Sequence, residues 1–306
     1  MYSCVLRMNK VGVETIDIES LELIRSIANW GSITKAAEEK GSSQSALSRK
    51  LQEIETRLGF TVFERTTRRL ILTKAGVVLL EHTKTLPLIL QSALKAVEVE
   101  CFGKQAIVRV GVSRSLSLAH LPGLFSRRLK TDAKLKIVHP TGKAVVGSVL
   151  AGNLDVGISP LPRPLPNDLQ VVHHFEDEFV LISRGKCSDG LSRKKAFGKW
   201  AGEQRWLLPP DGSLTRVVLD EWIELRNAEI EPEMELDSFD VMVQLVELGL
   251  GVAFVPRRTL SAFRRGKGIH RVEVGAAPTR EIGVFTRKQP QPSEEVDRFV
   301  EGILFS

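Results

Sequence analysis

A chain of 306 residues, 42% hydrophobic and 26% charged, has the composition of a water-soluble globular protein and the length for two or three compact units with cores of their own. Its 43 Lys and Arg against 37 Asp and Glu leave a formal charge of +6, which suits a polyanionic partner without requiring one. No run of about twenty apolar residues occurs, and the opening MYSCVLRMNK lacks an apolar stretch long enough for secretion, so the expectation is a cytoplasmic protein with no membrane partner.

Cys4, Cys101 and Cys187 are odd in number and widely spaced, which argues against a disulfide framework and against a zinc site of paired cysteines. Reduced thiols are expected, with no metal and no cofactor.

Ser32 is a good N-cap, and Ile33, Ala36 and Ala37 place apolar groups on one face of a helix that runs to Gly41. Gly41 suits the left-handed conformation that ends a helix and reverses the chain quickly. Ser42 or Ser43 caps the next helix. There Leu47, Leu51, Ile54 and Leu58 recur at i, i+4, i+7 and i+11 until Gly59 closes it. This spacing predicts a helix-turn-helix over about residues 32–52. The face opposite the apolar stripe begins with Gln44, Ser45, Ser48, Arg49 and Lys50, short polar and basic groups able to reach base edges and phosphates from a major groove.

From Phe60 to Thr73, apolar Val62, Phe63, Leu70, Ile71 and Leu72 flank Arg65, Thr66, Thr67, Arg68 and Arg69, the pattern of a two-stranded hairpin with a basic tip. Seven basic residues between Ser43 and Gly76 stand against Glu53, Glu55 and Glu64, a net +4 that phosphates would attract. The segment from Lys74 to about Cys101 then carries Leu79, Leu80, Leu86, Ile89, Leu90, Leu94 and Val97 at largely helical spacing. Pro87 in its middle removes a backbone donor and predicts a kink or a break into two helices.

Residues 106–306 alternate strands and helices, a parallel α/β pattern. Strands are predicted at Ile107–Val112, Leu135–Val138 and Val156–Ser159, with helices at Leu116–Leu129 and Lys143–Ala151. Pro160, Pro162, Pro164 and Pro166 stiffen an extended connection, expected to be a crossover between lobes. A second α/β unit follows, with strands at Phe179–Ser183, Trp206–Leu208 and Val252–Val255 and helices near Leu214–Arg226 and Phe239–Leu248. Ile282–Thr286 reads as a strand returning to the first lobe, and Ser293–Leu304 as a closing helix. Two crossings imply two lobes around a cleft.

The DNA-binding segment resembles that of LysR-type transcriptional regulators. The residues that carry the likeness are Gly31-Ser32, Ala36-Ala37, Ser43-Gln44, Ala46-Leu47-Ser48, Leu58-Gly59, Phe63-Glu64-Arg65, Arg68, Leu72-Thr73 and Ala75-Gly76, in the family's order. Ser45 departs from a proline often found there; both residues are tolerated in the first turn of a helix. The resemblance implies that Gln44, Ser48 and Arg49 contact DNA from the recognition helix, that Ser32 and Thr34 touch phosphates, and that Arg68 extends from the wing beside Arg69. It also implies a linker helix that pairs two subunits on the half-sites of an inverted repeat in double-stranded DNA, and a homotetramer built from such homodimers. Residues 1–15 have no counterpart in the family pattern and read either as a flexible arm or as residues upstream of a start at Met8.

The remainder resembles the same family's effector-binding domain, which has the fold of two-lobed periplasmic solute-binding proteins, through Gly152 to Ile158 and Gly249 to Pro256. The expected organisation is therefore an N-terminal extension over 1–15, a winged helix-turn-helix over 16–73, a linker helix over 74–104 and an effector domain over 105–306. Its lobe I spans about 105–162 and 275–306, and its lobe II about 163–274. Small ligands of open α/β sheets bind beyond the carboxyl ends of strands, where helix N-termini offer free N–H groups. Three loops qualify. They nominate Ser113, Ser115, Thr141 and Ser213 as effector contacts, with Arg114 as a partner for a carboxylate, against the plainer reading that the hydroxyls only cap helices.

The rival classes are a small-molecule-binding protein or an enzyme on the two-lobed fold without DNA-binding activity. Catalytic groups are hard to find: His173-His174 and His270 have no motif pairing them with a nucleophile, and there is neither a Gly-x-Ser-x-Gly elbow nor a glycine loop ending in Gly-Lys-Ser/Thr.

Overall fold

The computed structural model describes residues 16–65, 70–116, 132–185, 191–262, 268–288 and 293–303. Outside them lie the N-terminal extension with Met8 and Cys4, the hairpin tip Thr66 to Arg69, nearly all of the helix predicted over Leu116–Leu129, Cys187, and the last residue of the predicted closing helix. The chain divides into two compact units, residues 1–104 and 105–306. Among the described residues no helix is long and apolar enough to cross a membrane.

The first unit begins with α1 (Ile18–Trp30), capped by Asp17, whose carboxylate accepts the Ser20 N–H at 2.7 Å. Helix α2 (Ile33–Glu39) follows one turn later, capped by Ser32, and α3 (Gln44–Leu58) is capped by Ser43 rather than Ser42. At Gly59, φ is 75°, a left-handed backbone that glycine adopts without a Cβ clash, and α3 stops there. Leu47, Leu51, Ile54 and Leu58 of α3 are buried against Leu23, Ile24 and Ile27 of α1 and Ala36 and Ala37 of α2, as the apolar spacing requires.

A hairpin of β1 (Phe63–Arg65) and β2 (Leu70–Leu72) pairs antiparallel, with Phe63 opposite Leu72. Its start is tied to α3 by the Glu55 carboxylate, which accepts the Val62 and Phe63 N–H groups at 2.6 and 3.1 Å. Thr73 ends the hairpin and caps α4 (Lys74–Thr83). Gly76 allows α4 to lie close against the hairpin, since a Cβ there would stand 2.4 Å from the Val62 carbonyl oxygen.

The helical segment breaks in two, and α5 (Leu86–Phe102) restarts with Pro87 in its first turn, where the missing N–H has no intrahelical acceptor to lose. The apolar stripe divides with it. Leu79 and Leu80 pack onto the core of the first unit, whereas no residue of α5 is buried.

The second unit is built on a sheet of nine strands, with Lys134–Val138 at one edge and Pro232–Glu235 at the other. Strands β3 (Ile107–Val112), β4 (Lys134–Val138) and β5 (Val156–Pro160) are parallel; helix α6 (Gly142–Leu150) precedes β5. Strand β6 (Leu169–Ser183) is fifteen residues long. Helix α7 (Lys194–Ala201), β7 (Trp206–Leu208), α8 (Leu214–Leu225), β8 (Pro232–Glu235), α9 (Phe239–Glu247), β9 (Val252–Pro256), α10 (Arg257–Ala262) and β10 (His270–Val272) follow. The chain returns along β11 (Thr279–Arg287) to α11 (Glu294–Glu301).

Two cores share no residue and define two lobes. In the first, Val108, Val110 and Val112 of β3 pack on Phe299 and Val300 of α11, while α6 covers the opposite face through Val145 and Val149. In the second, Phe197, Trp206, Phe254 and Phe239 gather around β7 and β9. The crossover is β6 itself, not the proline run from Pro160 to Pro166. Its Leu169–Glu178 stretch pairs with β11, and its Phe179–Ile182 stretch pairs with β9. Strand β6 starts ten residues before the predicted Phe179; His173, His174, Glu176, Asp177 and Glu178 mask the alternation of its first part.

Where β6 and β11 run side by side, Asp177 stands opposite Arg280. Both side chains are almost wholly buried, and the guanidinium donates to the carboxylate at 3.0 and 2.8 Å. It also donates to the Thr215 hydroxyl of α8 at 2.7 Å and to the Ser115 carbonyl at 2.9 Å. The rings of Phe179 and Phe239 flank it, each 5.2 Å from the cation. Burial pulls the guanidinium below its ordinary range, and the carboxylate opposes that pull.

The two sequence signatures of this unit serve its fold. Asp155 accepts from the Arg109 backbone N–H at 2.8 Å and from its guanidinium at 3.1 and 2.8 Å, which pins the turn before β5 onto β3. Gly251 lets β9 start against β7, since a Cβ there would meet the Arg205 carbonyl oxygen at 2.5 Å.

Candidate functional site

The outer face of α3 carries the residues nominated for DNA. At about 100° per residue, Gln44, Ser45, Ser48 and Arg49 fall within an arc of about 140° that includes Gln52. Gln44, Ser45, Arg49 and Gln52 are exposed and Ser48 is half-buried. Gln52 is absent from the sequence reading, although its place one turn after Ser48 was available as a signal. Lys50 lies about 100° beyond the arc, on the flank facing α1, where its ammonium pairs with Glu19. The Ser45 hydroxyl lies 3.2 Å from that of the cap Ser43. Ser32 is spent as the cap of α2, Thr34 is exposed beside it, and Arg68 and Arg69 fall outside the described residues.

The angle between α1 and α2 is set partly by Glu39. Its carboxylate accepts from the Ser26 hydroxyl and from the Trp30 indole N–H, the latter at 3.1 Å, and these two bonds hold its pKa below the ordinary 4.5.

In the second unit the nominated loops converge. Ser113 is buried at the end of β3, its hydroxyl 3.0 Å from that of Ser115. Thr141 caps α6 and Ser213 caps α8. A Cβ placed on Gly142 would lie 3.2 Å from the Leu214 side chain and 3.5 Å from the Ser113 hydroxyl, so the loops of the two lobes meet here. The Lys143 ammonium approaches the Gly212 turn from the opposite lobe, and it is the exposed cation of this cluster that the sequence reading overlooks.

Arg114 is turned sideways. Its Nε donates to the His139 carbonyl at 3.0 Å and its Nη1 pairs with Asp237 at 2.9 Å. Asp237 belongs to the second lobe, just before the Ser238 cap of α9. Among the described residues no group of three or more His, Cys, Asp or Glu is arranged to hold a metal ion. His173 and His174 lie on β6 opposite Val284 and Gly283 of β11.

Two family models match the chain. One is described as a bacterial regulatory helix-turn-helix protein of the lysR family and covers residues 18–77; the other is the LysR substrate binding domain and covers residues 103–304. Similar curated proteins include probable RuBisCO transcriptional regulators of Porphyra purpurea and of Trichormus variabilis. Each is 28% identical over 94% of this chain, and the alignments span 93% and 87% of those proteins. Among solved structures, a probable transcriptional regulator of Pseudomonas aeruginosa has a TM-score of 0.54 at 17% identity, covering 96% of this chain and 99% of that one. A hydrogen-peroxide-bound OxyR mutant of Corynebacterium glutamicum has a TM-score of 0.53 at 22% identity, covering 94% and 91%. These two likenesses concern the fold.

Because its folded-state pKa is depressed, Glu39 contributes stability in full above the unfolded value near 4.5 and loses it as pH falls through the lower folded value. The part of the fluorescence that Trp30→Phe removes should therefore change as pH drops below 4.5, and Glu39→Gln should abolish that acid transition. An identical transition in the Glu39→Gln protein would show that another group controls it.

Proposed function

The chain belongs to the LysR family of transcriptional regulators, and from that membership we propose the contacts and the assembly through which it works. Helix α3 enters a major groove of duplex DNA, with Gln44, Ser48 and Arg49 at base edges and Ser45 and Gln52 beside them. Ser32 and Thr34 meet phosphates at the start of α2. Arg68 and Arg69 do so from the hairpin, and Lys50 adds its charge from the flank. The observation that carries this reading is the exposed polar arc of α3 beside a hairpin of basic sequence.

Helix α5 supports a homodimer. Leu86, Ile89, Leu90, Leu94 and Val97 are each between 42% and 58% exposed, a stripe on one side of a helix none of whose residues is fully buried. A second copy would cover it. Dimers place two recognition helices on the half-sites of an inverted repeat, and two dimers form a tetramer on the DNA.

A small-molecule effector binds in the second unit, near Ser113, Ser115, Thr141 and Ser213, with Arg114 and Lys143 as its cations. Closure of the lobes redisposes the dimers along the DNA and changes its bending. The protein works in the cytoplasm.

Arg49→Ala should weaken operator binding by about 1–3 kcal/mol while the tryptophan fluorescence of the second unit stays unchanged, and unaltered affinity in a gel-shift titration would remove α3 from the groove. Leu94→Asp should convert the dimer to monomers at micromolar concentration in sedimentation equilibrium. A dimer of unchanged mass and affinity would place the interface elsewhere.

A further inference from the structure

Two of the ion pairs that link the lobes of the second unit are of opposite character. Arg280 and Asp177 are sealed from water, each guanidinium nitrogen has a partner, and nothing at that point can be exchanged for a ligand. Arg114 and Asp237 are 53% and 39% exposed, and they sit where the loops bearing Ser113, Thr141 and Ser213 meet.

Arg114 would keep its place if Asp237 let go. Its backbone N–H donates to the Pro140 carbonyl at 3.0 Å and its Nε to the His139 carbonyl at 3.0 Å, so both ends of the residue are fixed within the first lobe. Asp237 engages it only through one Nη1 to Oδ2 contact. A guanidinium fork held in this way accepts a carboxylate or phosphate with two parallel hydrogen bonds, a stronger arrangement than a single one. The chain thus sets one of its own carboxylates, by a weak and water-exposed contact, on a cation preorganised for anions.

We infer that Asp237 is a built-in competitor for an anionic group of the effector: it latches the second lobe onto Arg114, and a ligand carboxylate or phosphate displaces it. The inference rests on the effector cleft proposed above. It adds the chemical class of ligand and names the residue that sets the threshold for binding. A carboxylate at position 237 raises the ligand concentration needed, because binding must first break the latch. Once displaced, Asp237 frees the N-terminal end of α9 to shift relative to the first lobe, so occupancy is coupled to lobe position.

The latch can be tested on the full chain with no ligand present, by hydrogen exchange at the amides of Arg114, Leu116 and Leu236. Arg114→Asp and Asp237→Arg should each speed exchange by about three- to fivefold, the scale of an exposed ion pair, and the double reversal should restore the original rates. Single reversals that exchange like the unaltered protein overturn the latch and leave the cleft reading standing.

Succinate and inorganic phosphate, titrated at constant ionic strength, test the competition. Asp237→Asn should bind at least one of them about fivefold more tightly than the unaltered chain, and Arg114→Gln/Asp237→Asn should lose that gain; the preferred anion separates carboxylate from phosphate effectors. Equal affinities for the unaltered and Asp237→Asn chains overturn the competitor role. If the exchange results hold but neither anion binds any variant, the reading of the cleft as an anion site fails.

Discussion

One buried guanidinium constrains everything else in the second unit. Arg280 reaches Asp177 on the neighbouring strand, Thr215 at the start of α8 and the Ser115 carbonyl after β3, so a single side chain touches both crossing strands, a loop of the first lobe and a helix of the second. Removing two charges from water costs several kcal/mol per ion, and their attraction offsets this only when the remaining donors and acceptors are also satisfied. That requirement explains the surroundings. The carboxylate takes two guanidinium bonds, the outer nitrogens find a hydroxyl and a carbonyl, and two aromatic rings close the sides. Moving one lobe away would strand a donor in a dry site, so the geometry around Arg280 acts as a fixed pivot.

Around that pivot the contacts grade from permanent to labile. The Leu214 side chain against Gly142 is an apolar contact between lobes, and the Arg114–Asp237 pair farther out is exposed enough for solvent and ligands to compete. The first unit repeats the gradation in its helices. Leu79 and Leu80 bind α4 to the core of the DNA-binding head, while the α5 stripe remains uncovered within its own chain. A regulator that must hold its DNA-reading surface rigid and still respond to a small molecule needs each kind of contact in a different place.

Local chemistry is what a sequence displays most clearly. The cap Ser32, the closing Gly59, the break at Pro87 and the apolar stripe of α3 each depend on residues within a turn or two, and each occupies its expected place; Thr141 and Ser213, nominated as effector contacts, also cap helices, as their plainer reading has it. The first ten residues of β6 are hidden because the charges that interrupt their alternation are themselves structural: Asp177 is there for a partner 103 positions away. Strand β8 is hidden for a related reason, since its Pro-Glu-Met-Glu lies at a sheet edge where proline and acids are tolerated. Of the site, the loops are legible and the pairings are not. Arg114 reads as a free cation until Asp237 is brought to it from the other lobe, and Lys50 does so until Glu19 of α1 is brought to it.

Arg280 couples the two lobes, and a double-mutant cycle between Arg280 and Thr215 measures that coupling directly. Arg280→Met, Thr215→Val and the double variant would be unfolded in urea as full chains, with Trp200, Trp206 and Trp222 of the second lobe reporting the transition. The losses should be non-additive, with an interaction energy of about 0.5–3 kcal/mol. Additive losses would mean that the guanidinium stabilises its own strands alone and that the lobes are not joined through it.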